Sequence, residues 1–341
     1  MKKSRKQTIV FKNAPKIIGN YTIVGQKEGN SNFKNYFDYV LKNDLFGEKT
    51  FENAERKMLE HAIWNALDNA HLDSKDLDLL ISGDLLNQII SSSFAARQFD
   101  VTYLGLYGAC STMAETLAVG SAFIDGNYFS KVACATGSHF SSAERQYRFP
   151  LELGNQRPPV SQWTVTGAGC TILGDSGGDK EIVNATFGKV TDFGINDVNN
   201  MGAAMAPAAM STLIAHFEDT KTTPEDYDLI LTGDLGKLGS EILMDLMENK
   251  GYKLKENYND CGQMIFNNNQ KSYQGGSGAG CSAVILNSYV MQKMKEGVYS
   301  RVLFAATGAL LSTTSSQQGN TIPGICHAVE IRNCADKKEK K

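Results

Sequence analysis

The chain contains the same pattern twice. Ser74–Leu85 matches Pro224–Leu235 without a gap, at a constant offset of 150. Further on, Val132–Ser138 matches Leu303–Ala309 at an offset of 171. The same offset lays Gly108–Ser111 over Ala279–Ser282 and Gly126 over Gly297. The offset grows by 171 − 150 = 21 through an insertion between Leu235 and Gly276. Two ungapped matches in one order require a single α/β unit used twice. Each copy reads alike: helix (53–70; 205–217), polar turn, buried strand (77–82; 227–232), a loop opening a helix (110–124; 281–295), and a second apolar strand (131–136; 301–307). Apolar strand runs alternating with amphipathic helices predict a mixed sheet in each half, covered by helices on both faces. In 110–124, Met113, Leu117, Gly120 and Ile124 recur at helical spacing, which buries one face. Thr50 before Phe51 is a helix-start signal, and Asp219–Thr223 is a second one ahead of the second strand region.

A length of 341 residues suits two such halves. They are expected at 1–180, carrying Cys110, and 181–335, followed by a basic tail, 336–341. With 34 basic against 37 acidic residues the net charge is −3, too balanced for a nucleic-acid partner. No apolar run approaches the ~20 residues that span a bilayer, and the polar 7–12 stretch makes no signal-peptide core. The expected location is cytosol-facing. Seven cysteines without a C-x-x-C pair and five scattered histidines argue against a structural metal or a disulfide framework. Both ends are basic (Lys2, Lys3, Arg5 and Lys6; Lys337, Lys338, Lys340 and Lys341), which suits solvated termini or weak attraction to an anionic membrane.

Two βα units, with a cysteine opening a buried helix in the first, resemble the thiolase-like superfamily of thiolases and ketoacyl synthases. The resemblance rests on the stretch from Leu79–Asp84 to Gly108–Met113 and on the glycine-rich Thr166–Leu173. A narrower resemblance covers nearly the whole chain. Phe149–Pro159, Gln162–Gly167 and Ser272–Cys281 are similar to the stage V sporulation protein AD family. That resemblance implies a thiolase-like fold and the binding of dipicolinic acid (pyridine-2,6-dicarboxylate) during its uptake into the forespore. The other subunits of the stage V sporulation A membrane complex become expected partners, and the superfamily implies a homodimer. No cofactor is implied beyond the ligand, which is taken free or as its calcium chelate.

Cys110 is the first candidate residue. A thiol at a helix N-terminus meets the positive end of the dipole, which favours the thiolate. In the resembled enzymes the matching cysteine carries the acyl group. From Cys110 alone, a nucleophile and a cysteine lining an inherited pocket are both open. The implied partners favour the pocket. Where a ketoacyl synthase places its histidine this chain has Asp234, which when ionised accepts hydrogen bonds, repels a thiolate and raises its pKa. Where the asparagine loop is expected, the chain has Gly276, Ser277 and Gly278, and Ser277 has only one proton to donate. The reading is a non-catalytic binding protein on a thiolase scaffold, and the alternative is an acyltransferase using Cys110.

The remaining candidates concern the ligand. Gly275, Gly276, Gly278 and Gly280 could cradle a small anion or merely turn tightly. Arg145, Arg148 and Arg157 could meet carboxylates with their planar forks, or pair with Glu144 and Glu152. His139 follows the Ala135–Gly137 strand end, where open α/β sheets bind ligands. Asp84 is explained by the repeat and receives no functional role. Asp234 could lend an oxygen to calcium.

Overall fold

In a computed structural model, residues 6–147 and 157–334 are described. Ten strands carry the fold: β1 Lys16–Val24, β2 Leu79–Gly83, β3 Tyr103–Gly105, β4 Lys131–Ser138, β5 Gly167–Gly174, β6 Lys180–Thr186, β7 Leu229–Thr232, β8 Tyr258–Asp260, β9 Arg301–Ala309 and β10 Gly324–Asn333. The main helices are α1 Phe51–Asn69, α2 Thr112–Asp125, α3 Phe140–Tyr147, α4 Met201–Thr220, α5 Gly236–Glu248 and α6 Ala279–Ile285. The strand order is β8-β7-β9-β10-β6-β1-β5-β4-β2-β3. It reads as two five-strand copies set tail to tail, each strand of the first matching the strand five later. In both copies the outer three strands are parallel and the two toward the middle of the sheet antiparallel. The copies join where Lys16–Ile17 pairs antiparallel with Lys180–Glu181. The expected mixed α/β sheet with helical cover is the one found.

Burial on both faces explains the apolar strands. In β2, Leu79 and Ile81 face a core that also holds Met113 and Leu117 of α2 and Val284 of α6. Leu80, between them, faces the α1 side with Met58 and Ile63. In the second copy, Leu229 and Leu231 join that shared inner core, while Ile230 packs under α4 with Met205 and Leu213. Both copies therefore contribute to one inner layer, and α1 and α4 cover the outside.

The repeat extends to the hydrogen bonds. Asp73 with Asp76 and Thr223 with Asp226 form matching capping boxes. Asp78 accepts from the amides of Ser130 and Lys131, and Asp228 accepts from those of Ser300 and Arg301. One detail differs from the sequence alignment. Leu79 pairs with Val132 and Leu229 with Val302, so the strands correspond at an offset of 170, not 171. A one-residue slip exchanges the faces, and only the 170 register keeps Val132 and Val302 in the inner core.

Boundaries shifted modestly. Thr50 caps α1, accepting from Asn53 N at 3.2 Å as anticipated. The Asp219–Thr223 signal marks no long helix; Asp219 and Thr220 end α4, and Thr223 caps the short turn Pro224–Asp226. The helix expected over 281–295 begins at Ala279 and contains a π turn over Leu286–Val290. Within it, the Asn287 amide accepts from Thr171 Oγ1 at 2.6 Å and donates to Ala283 O at 3.0 Å. A side chain bonded across to the sheet competes with the regular helical ladder there.

A buried polar network pins the second copy. Glu330 accepts from Arg301 Nε at 2.7 Å, Arg332 Nε at 2.6 Å and Asn184 Nδ2 at 2.7 Å. His216 bridges Tyr227 and Thr186 beside it. Burial alone would raise the Glu330 pKa, but these donors outweigh it and hold the carboxylate below its usual range. A depressed folded-state pKa stabilises above the unfolded value of ~4.3 and is lost as pH falls through the folded one. Glu330→Gln is expected to cost about 3 kcal/mol at pH 7, since it leaves two guanidiniums without their anion. Urea unfolding at pH 7 and pH 4 checks this, and the difference between the proteins should shrink at the lower pH.

Candidate functional site

The ends of β2, β4, β7 and β9 place Cys110, Asp234 and Ser277 together at the junction of the two copies. Cys110 lies in a 3-10 turn, Ala109–Ser111, just ahead of α2, and not on the helix itself. Ala109 before it has φ of +50°, a strained value for a residue with a Cβ. That turn fits against β9 because Gly308 has no side chain; a Cβ there would strike the Gly108 carbonyl.

Asp234 follows β7 and is wholly buried. Ser277 Oγ donates to its Oδ2 at 2.8 Å, Gly278 N to the same oxygen at 3.3 Å, and Thr307 Oγ1 to its Oδ1 at 2.8 Å. The Cys110 thiol is a further donor to it. Its backbone carbonyl takes a hydrogen bond from Gln162 Nε2, which also reaches Gly276 O. Burial pushes the Asp234 pKa up to about 6 against the pull of these donors. Asp260 supports the loop from below, accepting from Thr232 Oγ1, Leu235 N and Gly236 N. Asp260 was not anticipated; the available clue was that an aspartate caps the short helix Cys261–Ile265, accepting from Gln263 N.

The Cys110 thiol stands 3.9 Å from Ser277 Oγ. Burial pushes its pKa well above normal, and the charge of Asp234 adds to the shift. The helix-dipole activation expected from sequence is overruled: Cys110 precedes the helix, and desolvation plus an adjacent carboxylate outweigh the dipole. Ser277 has committed its only proton to Asp234, so it offers none to a developing oxyanion.

In front of this trio lies a cavity of about 90 Å³. Leu85, Tyr107, Ala143 and Tyr147 form one wall, with Met201 and Leu311 opposite. Ser277 and Cys110 form its floor, and Asp234 sits behind them. Glu144 also reaches the wall.

Other candidates fall elsewhere. His139 is buried beneath Phe51, with Nε2 at 2.8 Å from Asp44 O and Nδ1 accepting from Ser141 N at 3.1 Å. Both ring nitrogens are used away from the cavity, so the sequence assignment of His139 to the pocket is corrected. Arg145 is paired with Glu52 at 3.2 Å and lies over Phe51, also outside the cavity. Arg148 lies outside the described residues. Gly276 pairs with Trp163 in a short parallel ladder, and its missing side chain makes room for Ile265 and Val165 rather than a ligand. Gly278, at φ +104°, brings the loop against Ser138. These glycines thus serve close packing against neighbouring side chains. The Asp234 oxygens are occupied by four internal donors and do not open into the cavity as a calcium ligand. Among the described residues no group of three or more His, Cys, Asp or Glu side chains converges as a metal site.

Comparison with known proteins places this arrangement. The profile of the stage V sporulation protein AD family matches residues 5–332. Stage V sporulation protein AD of Bacillus subtilis (strain 168) is 44% identical over 329 residues, 96% of this chain and 97% of that protein. The chain belongs to the stage V sporulation protein AD family. Solved structures share its fold. The 3-oxoacyl-[acyl-carrier-protein] synthase III of Aquifex aeolicus VF5 aligns with a TM-score of 0.58 at 15% identity, covering 93% of this chain and 99% of that one. Human mitochondrial 3-ketoacyl-CoA thiolase in complex with CoA aligns at 0.60 and 12% identity, covering 97% and 100%. The family member described here is therefore a sporulation protein on a thiolase-like fold. Among its described residues, no helix is long and apolar enough to cross a membrane.

If Asp234 holds the thiol protonated, Asp234→Asn should speed alkylation of Cys110 by iodoacetamide at pH 8, about tenfold for each pKa unit released. Peptide mass mapping resolves Cys110 from the other cysteines. An unchanged rate would show that burial alone controls the thiol.

Proposed function

We propose that this chain is a non-catalytic binding protein that takes dipicolinic acid in the Cys110 cavity during its uptake into the forespore. The family membership supplies the biological setting, and the commitment of Ser277 to Asp234 carries the non-catalytic reading. An acyl transfer through Cys110 needs a thiolate and oxyanion donors. Here the thiol is held protonated, Ser277 points its proton at a carboxylate, and His139 is bonded elsewhere. What remains is a small, partly open pocket with aromatic and aliphatic walls, suited to a flat ring. Free dipicolinate would feel the charge of Asp234 one layer behind the floor. A calcium ion carried in with it would take its oxygens from the ligand and water, since the Asp234 oxygens are engaged. In this reading the protein works at the cytosolic face of the forespore membrane, against other subunits of the stage V sporulation A complex, and as a homodimer.

Calorimetric titration with dipicolinate, with and without calcium, tests the ligand. Cys110→Ser is expected to bind within a modest factor of the parent, and Cys110→Leu to lose binding by filling the floor of the cavity. Equal affinity in both variants would place the ligand elsewhere. Picolinate, lacking one carboxylate, should bind about 10- to 150-fold more weakly, the cost of ~1.5–3 kcal/mol for an unmet charged partner. Intact mass after incubation with acetyl-CoA or malonyl-CoA decides the acyltransferase alternative: an adduct that vanishes in Cys110→Ala would establish it.

The sign of the pH dependence follows from Asp234. Its raised pKa means that it gains a proton as pH falls through about 6. That removes a negative charge behind the floor, so dipicolinate affinity should rise between pH 7.5 and pH 6. In Asp234→Asn the affinity should be flat over the same range.

A further inference from the structure

The first copy carries a buried acid that the repeat does not require. Helices α1 and α4 begin at equivalent positions, Phe51 and Met201, at the offset of 150 that also relates Asp84 to Asp234. At that offset Glu55 falls on Met205, a fully buried methionine. The fold is thus built with an apolar side chain at this site in one copy and a carboxyl group in the other. Glu55 is 2% exposed and faces the equally buried Asp84. Asp84 is already held by the amides of Leu86 at 2.8 Å and Ser92 at 2.7 Å.

The surroundings of Glu55 favour its neutral acid. Ser142 Oγ, on α3, contacts both Glu55 Oε2 and the carbonyl of His139, the latter at 3.0 Å. A hydroxyl has one proton to give, and a carbonyl can only accept. The His139 carbonyl already accepts from Ala143 N at 3.0 Å, so the Ser142 proton is free for Glu55 Oε2, and this contact ties α3 to α1 without bringing a cation to Glu55. The second Glu55 oxygen, Oε1, is buried without a hydrogen-bond partner, which also suits the neutral acid. Burial first, and then the charge of Asp84, raise the Glu55 pKa, in agreement with that geometry. The other groups facing the pair are Glu52 one turn away on α1, paired with Arg145 of α3, Ser91 of the helix Ile90–Ala96, and the Tyr103 hydroxyl of β3 near Asp84. None of these places a cation on Glu55.

The helix held by this contact forms part of the cavity. Ala143, Glu144 and Tyr147 of α3 line it, together with Leu85, next to Asp84. Tyr147 Oη closes the wall by donating to Leu85 O at 2.8 Å. We propose that Glu55 is a proton-held latch on the Cys110 cavity: as a neutral acid facing Asp84 it lets α3 rest on α1 through Ser142, and loss of its proton leaves two facing buried carboxylates, which releases α3 and opens the cavity wall.

The linkage has a definite sign. The closed form keeps the proton and the open form, hydrated, gives it up with an ordinary glutamate pKa of ~4.3. Opening therefore becomes more favourable by about tenfold per pH unit from there up to the closed-form pKa. Hydrogen exchange of the full-length protein between pH 5.5 and 8.5, followed by mass spectrometry on peptides covering 140–147 and expressed as protection factors, reads this directly. The parent protein should lose protection in α3 by about tenfold per pH unit. Glu55→Gln accepts from Ser142 through an amide with no proton to lose, and its protection should be flat. Glu52→Gln, as control, should keep the parental slope. A flat parent, or a Glu55→Gln variant that keeps the slope, overturns the latch. If Glu55→Gln fails to fold, Ser142→Ala gives the same decision, with low and pH-independent protection expected and a retained parental slope overturning it.

Discussion

Neither copy of the repeat can bury its own inner face. Met113 and Leu117 of α2 and Val284 of α6 are covered only because both half-sheets contribute Leu79, Ile81, Leu229, Leu231 and their neighbours to one inner layer. At ~25 cal/mol for each Å² of apolar surface removed from water, this shared layer is the main reason for the halves to stay together. It also creates the site. Packing two copies face to face brings the loop after β7 and the α6 loop of the second copy against the Cys110 turn of the first. Cys110, Ser277 and Asp234 are in contact as a result of that packing, and the cavity lies in the same seam.

The two copies put equivalent acids to different uses. Asp84 and Asp234 occupy the same place in the repeat, and both are buried. Asp84 is held by two backbone amides and faces a second carboxyl, Glu55. Asp234 is held mostly by side-chain hydroxyls and the Cys110 thiol, and its charge bears on the cavity floor. In each case desolvation is the largest influence on the acid, and the outcome depends on how many donors offset it. The same balance quiets Cys110. A thiolate needs a donor-rich, electropositive setting, and this one has a carboxylate instead.

Under the proposed function, a thiolase-like scaffold with its polar groups turned inward serves a holding role rather than a chemical one. In a catalytic site, unsatisfied donors are kept waiting for charge that develops during the reaction. Here Ser277, Thr307 and Gly278 already spend their protons on Asp234, so the ground state is the satisfied one.

The sequence by itself determined the repeat, and with it the fold class, the helix and strand order, the Thr50 cap and the buried face of the 110–124 helix. These follow from local patterns: helical periodicity, continuous apolar strand runs, capping chemistry and two ungapped matches. The grouping of Cys110 with Asp234 and Ser277 was legible through family resemblance, because the turn motifs around them are contiguous in the chain. Tertiary structure decided the rest. His139 read as a site residue because it follows a strand end, and Arg145 because its planar fork suits a carboxylate, yet their partners, Asp44 and Glu52, come from distant segments that no local pattern reveals. The strand register moved from 171 to 170 because ladder pairing and face burial, not residue identity, fix which side chains meet. The glycine loop turned out to serve close packing for the same reason: what a missing Cβ leaves room for depends on what folds against it.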